Sequence, residues 1–195
     1  MSFIKTVSED AASGDTAALY DAARTDQGQI PNLTRAFSHR PEYMSAWTGL
    51  LDAIKHRMDP RRYELVTLAA ALALRSSYCA LAHGSVLLRD FFTAEELRAI
   101  VTDYRHSDLL PVDIAAMDYA HAIAADAAAI TPSHLDALRI HGLTDAEITD
   151  IAAAAAARAF FGKFLDALGT HPDASYADLP APVRDRLTVG RKIEK

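Results

Sequence analysis

Apolar side chains recur at intervals of three and four residues along nearly the whole chain, the repeat of helices that each bury one stripe. This pattern predicts a short helix over Ser13–Arg24, a turn at Gly28–Asn32, and a helix opened by Ser38-His39-Arg40-Pro41 and running to about Arg57. Asp59 as N-cap and Pro60 as first residue open the next helix, to about Arg75, with Leu65, Leu68, Leu72 and the alanines on a wide apolar face. Ser76 caps a helix that follows at once, its packed end marked by Val86, Leu87 and Leu88. Thr93-Ala94-Glu95-Glu96 and Thr144-Asp145-Ala146-Glu147 carry the capping-box pattern. Between them fall Pro111–Ala125 and a short helix from Thr131-Pro132 ended by Gly142. A long Ala-rich helix to about Leu168 stops at Gly169, and a proline-punctuated tail ends in a short helix near Pro182–Val189. No segment alternates with the period of a strand, so the expected class is all-α.

Composition narrows the picture. A chain of 195 residues suits one domain or two small helical halves, and half of its residues are hydrophobic. Eight glycines and eight prolines are too few for a turn-rich β protein. The net charge of −6 without a basic cluster argues against nucleic acid as the main partner. No apolar run is longer than Ile151–Ala157, which is far too short to span a membrane. Met1-Ser2-Phe3-Ile4-Lys5 lacks the regions of a secretory signal. One cysteine allows no intramolecular disulfide, and a reducing cytoplasm is the expected location.

That cysteine lies in Arg75-Ser76-Ser77-Tyr78-Cys79-Ala80-Leu81-Ala82-His83-Gly84. With Ser76 at the N-cap, Cys79 occupies the third helical position, beside unpaired N–H groups and the positive end of the helix dipole. Such a place favours thiolate over thiol. His83 stands one turn further on the same face and can take the thiol proton or stabilise its anion. Glu64 lies on the preceding helix, in a stripe with Leu68, Ala71 and Arg75, from which a carboxylate can orient an imidazole. On spacing alone, an inert core thiol with a surface histidine is the commoner arrangement. Zinc would need three or four protein ligands, and no second cluster supplies them. No metal or cofactor is therefore expected.

The segment from Glu64 to His83 resembles the signature of the alkyl hydroperoxidase D / carboxymuconolactone decarboxylase family: a glutamate on one helix, then Cys-x-x-Cys and a histidine four residues beyond the second cysteine. Tyr78 fits the tyrosine that often precedes that cysteine. Leu19-Tyr20, Gly28 with Pro31-Asn32, Ser38–Glu42, Leu138–Asp145 and Asp166–Gly169 resemble, in order, flanking pieces of the peroxidase-related branch. The resemblance implies one all-α domain of helical hairpins over 1–195, with the signature at 60–90 and a tail from about 170. It also implies an obligate homo-oligomer, as a dimer, trimer or hexamer.

It further implies a thiol-dependent peroxidase acting on organic hydroperoxides. Cys79 is then the nucleophile, His83 and Glu64 the proton relay, and Ser76 and Tyr78 the assisting residues. The chain departs from the family pattern at Ser76, which stands where the first cysteine would resolve the oxidised second one. Serine forms no disulfide, so turnover needs an external thiol or thiol protein, while Ser76 can still cap the helix and hydrogen-bond the thiolate or a bound oxygen. Gly162-Lys163 also replace a common Asn-Arg. Two other functions stay open: a lyase or isomerase acting on a small carboxylate through His83 and Glu64, and a non-catalytic oligomer that senses redox state.

The remaining residues have mainly structural expectations. Trp47 and Tyr43 are assigned to the core, and Arg61-Arg62 and Glu95-Glu96 to solvated faces. His39, His134, His141 and His171 sit at helix ends. His121 is a lesser candidate for the site, and Arg75 is either an electrostatic aid to Cys79 or a solvated cation. The helix around Ile151–Phe161, apolar on nearly every side, must be enclosed by its own chain or by a neighbouring subunit.

Overall fold

The helix over Pro60–Ala73 has no polar face: every residue from Tyr63 to Ala71 is buried. In a computed structural model describing residues 2–195, it is one of ten α-helices. They are α1 (Gly14–Gln27), α2 (Asn32–Ala36), α3 (Pro41–Lys55), α4 (Pro60–Ala73), α5 (Ser77–Asp90), α6 (Ala94–Asp103), α7 (Pro111–Asp126), α8 (Pro132–Arg139), α9 (Asp145–Ala167) and α10 (Ala181–Leu187). Four short 3₁₀ turns lie at Glu9–Ala11, Tyr104–His106, Ala127–Ala129 and Ala174–Asp178, and the described residues contain no strand. The central α4 packs against α5, α7 and α9. One continuous apolar core runs from Phe37 and Trp47 through these helices to Leu187. Among the described residues, no helix is long and apolar enough to cross a membrane.

Local sequence explains most helix ends. Asp59 accepts from the Arg62 N–H at 2.9 Å, with Pro60 in the first turn of α4. Thr93 and Thr144 both form complete capping boxes, with Glu96 and Glu147. Gly28, at φ 71°, ends α1. The turn expected there is shorter than predicted, because Asn32–Ala36 winds into α2; five residues are too few to show a helical repeat.

The corner between α4 and α5 positions the site. Leu74 caps α4, the Arg75 N–H donates to Leu72 O, and the Ser76 N–H donates to Ala71 O, each at 3.0 Å. This is a Schellman motif with Arg75 in the left-handed region at φ 56°, the only non-glycine there among the described residues. A side chain at such a position costs about 1 kcal/mol relative to glycine. Arg75→Gly is therefore expected to keep the fold and to raise stability by up to about 1 kcal/mol, offset by glycine's greater freedom in the unfolded chain. Urea unfolding of the variant checks this; a marked loss would mean that the Arg75 side chain matters more than its backbone strain.

The chain end covers this corner. Leu187 packs on the bare backbone of Gly84, where a Cβ would fall 2.4 Å from its Cδ1. At Gly190 a Cβ would fall 2.1 Å from the Arg75 carbonyl oxygen, so only glycine fits. The Gly190 N–H donates to Ser77 Oγ at 2.7 Å.

Two expectations fail here. Arg61 and Arg62 are not a merely solvated pair: they hold Asp113 of α7, which is 1% exposed, at 2.5 and 2.9 Å. Two adjacent cations can both reach one carboxylate brought over by the tight α4–α7 packing. Tyr43 is 49% exposed rather than in the core, because α3 turns only its Trp47 and Ile54 side fully inward.

Candidate active site

Cys79 is the third residue of α5 and is 1% exposed. Its sulfur accepts a hydrogen bond from Arg158 Nη1 of α9 at 3.7 Å. That guanidinium, itself 5% exposed, lies 5.6 Å from the Trp47 ring centre and 5.5 Å from that of Phe161. A permanent cation thus stands where negative charge develops when the thiol loses its proton, with aromatic faces supporting it.

One turn along α5, His83 Nδ1 is 2.5 Å from Glu64 Oε2 of α4, and both residues are buried. Burial pushes the His83 imidazole down to about 4; Arg158 acts in the same direction and the Glu64 hydrogen bond against it. The ring is consequently neutral at neutral pH. The carboxylate takes the Nδ1 proton as its hydrogen bond, which leaves the Nε2 lone pair as a proton acceptor. The Tyr63 ring meets His83 edge-on at 6.1 Å. Burial raises the Tyr63 phenol above its ordinary range, with Arg158 opposing, so the hydroxyl keeps its proton.

Ser76 is the N-cap of α5 by position, but its side chain makes no capping bond. Its hydroxyl is completely buried and lacks a hydrogen-bond partner. The Asp166 carboxyl lies on its side without a well-formed bond to it; burial raises that carboxyl, with Ser76 and then Arg191 acting against. Gly162, one turn beyond Arg158 on α9, lets the two helices approach. A Cβ there would stand 3.2 Å from Ser76 Oγ and 3.7 Å from Cys79 Sγ.

The other candidates lie apart from this group. The Tyr78 hydroxyl donates to the Asp173 carboxylate and accepts the Leu33 N–H at 3.1 Å, tying α5 to α2 and the tail. Arg75 is exposed, its Nε 3.4 Å from the Val189 carbonyl oxygen, and the cation beside the sulfur is Arg158 instead. His121 is half-buried and joins none of these contacts. His134 closes the Thr131 capping box, His39 bonds the Lys5 carbonyl, and His171 bonds that of Lys192. Among the described residues, no three His, Cys, Asp or Glu side chains gather as a metal centre requires.

Sequence reasoning missed Arg158, Tyr63 and Gly162. The signal for Arg158 was present: it is the sole charge between Ile151 and Phe161, and a lone cation in an otherwise apolar buried helix must have a partner. Tyr63 and Gly162 carry no comparable mark.

Residues 41–122, which include Glu64, Cys79 and His83, match the carboxymuconolactone decarboxylase family. No curated protein matches the chain. Among solved structures, the chain is similar to the alkylhydroperoxidase AhpD core of an uncharacterized peroxidase-related protein from Ralstonia eutropha. The TM-score is 0.79 at 23% identity, over 90% of this chain and 94% of that one. A peroxidase-related protein from Silicibacter sp. aligns with TM-score 0.77 at 20% identity, over 89% and 94% of the two chains. The debrominase Bmp8, as a cysteine-to-alanine variant in complex with 2,3,4-tribromopyrrole, aligns with TM-score 0.77 at 17% identity, over 95% and 100%. These likenesses identify the fold as that of the AhpD-like proteins.

Proposed function

With a carboxymuconolactone decarboxylase family segment set in an AhpD-like fold as the premise, we propose that this chain is a thiol-dependent peroxidase that reduces organic hydroperoxides through Cys79. The observation that carries the reading is the buried His83–Glu64 pair one turn from the sole cysteine, with Arg158 against the sulfur. His83 takes the Cys79 proton while Glu64 steadies the imidazolium that results, and Arg158 offsets the charge left on sulfur. The sulfur attacks the outer peroxide oxygen, the O–O bond breaks, and the alkoxide leaves with the proton that His83 carried. Sulfur has then lost two electrons and become a sulfenic acid. Two equivalents of an external thiol restore it, the first forming a mixed disulfide and releasing water, the second releasing the disulfide. The working form is a homo-oligomer in the cytoplasm, which brings the exposed Tyr43 and Leu50 of α3 and Phe160 of α9 against another subunit.

Turnover of tert-butyl hydroperoxide with a small dithiol, followed as alcohol formed, tests the reading. Stoichiometric alcohol with dimedone-trapped Cys79 supports it; alcohol at the background rate with an unmodified thiol overturns it. The debrominase likeness and the family description keep a second reading in view, acid–base or dehalogenating chemistry on a small carboxylate or halogenated ring. An acid–base activity of that kind would survive Cys79→Ser.

The His83 environment adds a pH prediction. Its folded value near 4 lies below the ordinary 6.5, so between these values the unfolded chain binds a proton that the folded chain refuses. The stability due to the neutral ring is whole above about pH 6.5 and is lost as pH falls towards 4. Wild type is therefore expected to lose more stability than His83→Gln between pH 7 and 4 in paired thermal melts. Parallel curves would remove the case for a buried neutral imidazole.

A further inference from the structure

Two buried donors beside Cys79 have no acceptor. Ser76 Oγ is fully buried, Arg158 Nε belongs to a side chain 5% exposed, and neither makes a hydrogen bond. Buried polar groups are nearly always paired, so two orphans at one place point to an absent partner. Both flank the same atom. Arg158 reaches the sulfur through Nη1 at 3.7 Å, and Ser76 lies one turn before Cys79 on the same helix. Gly162 of α9 packs bare against both Ser76 and the sulfur, since a Cβ there would stand 3.2 Å from Ser76 Oγ and 3.7 Å from the sulfur, so the space beside them admits no more than an atom or two. The absent partner is thus small, accepts hydrogen bonds, and is compatible with a guanidinium. The Asp166 carboxyl lies near both Ser76 and Arg191, the latter at 3.6 Å, but completes no hydrogen bond to Ser76 Oγ.

We propose that Ser76 and Arg158 form an oxyanion site that holds the oxygen of a Cys79 sulfenate, making the singly oxidised chain a persistent state that small thiols reduce. The inference rests on the peroxidase reading for the way the oxygen arrives, and on the orphaned donors for the site that receives it. Once sulfur has taken the outer oxygen of a hydroperoxide and the alcohol has left, the sulfenic acid gives up its proton to His83, which is neutral again after protonating the alkoxide. Its oxygen accepts from the Ser76 O–H and from an Arg158 N–H, charge-assisted bonds stronger than neutral ones. Further oxidation needs the sulfur of this sulfenate to attack a second hydroperoxide, and donors that hold its charge make that attack slower. Ser76 in this scheme takes over from a resolving cysteine: it stabilises the oxidised sulfur where a thiol would consume it.

The experiment has two arms, both on the full chain. In the first, reduced protein is given one equivalent of tert-butyl hydroperoxide, the excess is removed, and the form carrying one added oxygen is timed by intact mass. Its half-life is expected to fall by at least about tenfold in Arg158→Gln, less in Ser76→Ala, with Arg158→Lys between wild type and Gln. Wild type that passes directly to the two-oxygen form, or a half-life unchanged by Arg158→Gln, overturns the proposal.

The second arm needs no oxidation. Cys79→Asp sets a carboxylate oxygen where the sulfenate oxygen would lie, and Arg158→Gln is expected to lower its melting temperature more than it lowers that of wild type. Equal losses overturn the oxyanion site, and so does a Cys79→Asp chain that does not fold. Coupling in this arm with no peroxide oxidation in the first would overturn the peroxidase reading and leave the site standing.

Discussion

Cys79→Ser is expected to bring hydroperoxide turnover to the uncatalysed rate while leaving the fold intact. Serine is close in volume, and its hydroxyl would still have Arg158 Nη1 as a hydrogen-bond partner in place of the sulfur contact. Its oxygen, however, cannot accept the oxygen of a peroxide, and no second cysteine exists to substitute for Cys79. Glu64→Gln is a milder test of the same machinery. The amide still meets His83, but no negative charge remains to steady the imidazolium, so a loss of about a hundredfold or more is expected, within the usual contribution of positioned acid–base groups. Alcohol formation with a small dithiol gives the rates, and thermal melts show that both variants fold. Undiminished turnover in Cys79→Ser would move the chemistry off the thiol and favour the acid–base reading.

The largest effect on stability is expected at Asp113. This carboxylate is buried on α7 and held by Arg61 and Arg62, whose side chains are 33% and 21% exposed. Asp113→Ala leaves two like charges side by side with their partner gone. Breaking a buried ion pair costs about 3–5 kcal/mol; because both arginines can still reach water, about 2–4 kcal/mol is the expected loss. Arg62→Ala alone should cost less, since Arg61 still holds the carboxylate. Urea unfolding of the three chains checks the order. A loss below about 1 kcal/mol for Asp113→Ala would mean that packing, not the ion triad, joins α4 to α7.

What the sequence made legible follows from how far each interaction reaches along the chain. Helix ends governed by neighbours three or four residues away, such as Thr93 with Glu96 and Asp59 with Arg62, were readable directly. The Cys79–His83 spacing on one helix was readable for the same reason, and the Glu64 contact followed from an almost absent connection between two helices. Arg158 meets Cys79 across 79 residues, and Asp113 meets Arg61 across 52. Such pairs depend on how helices cross, which no local period encodes. Tyr78 shows the converse. Its neighbour relation to Cys79 is immediate, yet helical geometry turns adjacent side chains apart, and its hydroxyl goes to Asp173. Exposure failed in the same way at Tyr43, whose aromatic ring invites burial while the lightly covered α3 leaves it outside.

The cover over the corner that carries the thiol is made late. Ribosomes build Cys79 more than a hundred residues before Gly190, whose N–H meets Ser77 and whose bare Cα lies against the Arg75 carbonyl. Arg158 and Gly162 also come after some eighty residues of further chain. At about 5–20 residues per second, the nascent chain carries this cysteine without its cation or the tail that closes the neighbouring corner for roughly 5–20 s. During biosynthesis the thiol is thus open to bulky partners that the finished protein excludes, and its chemical history can begin before its fold is complete.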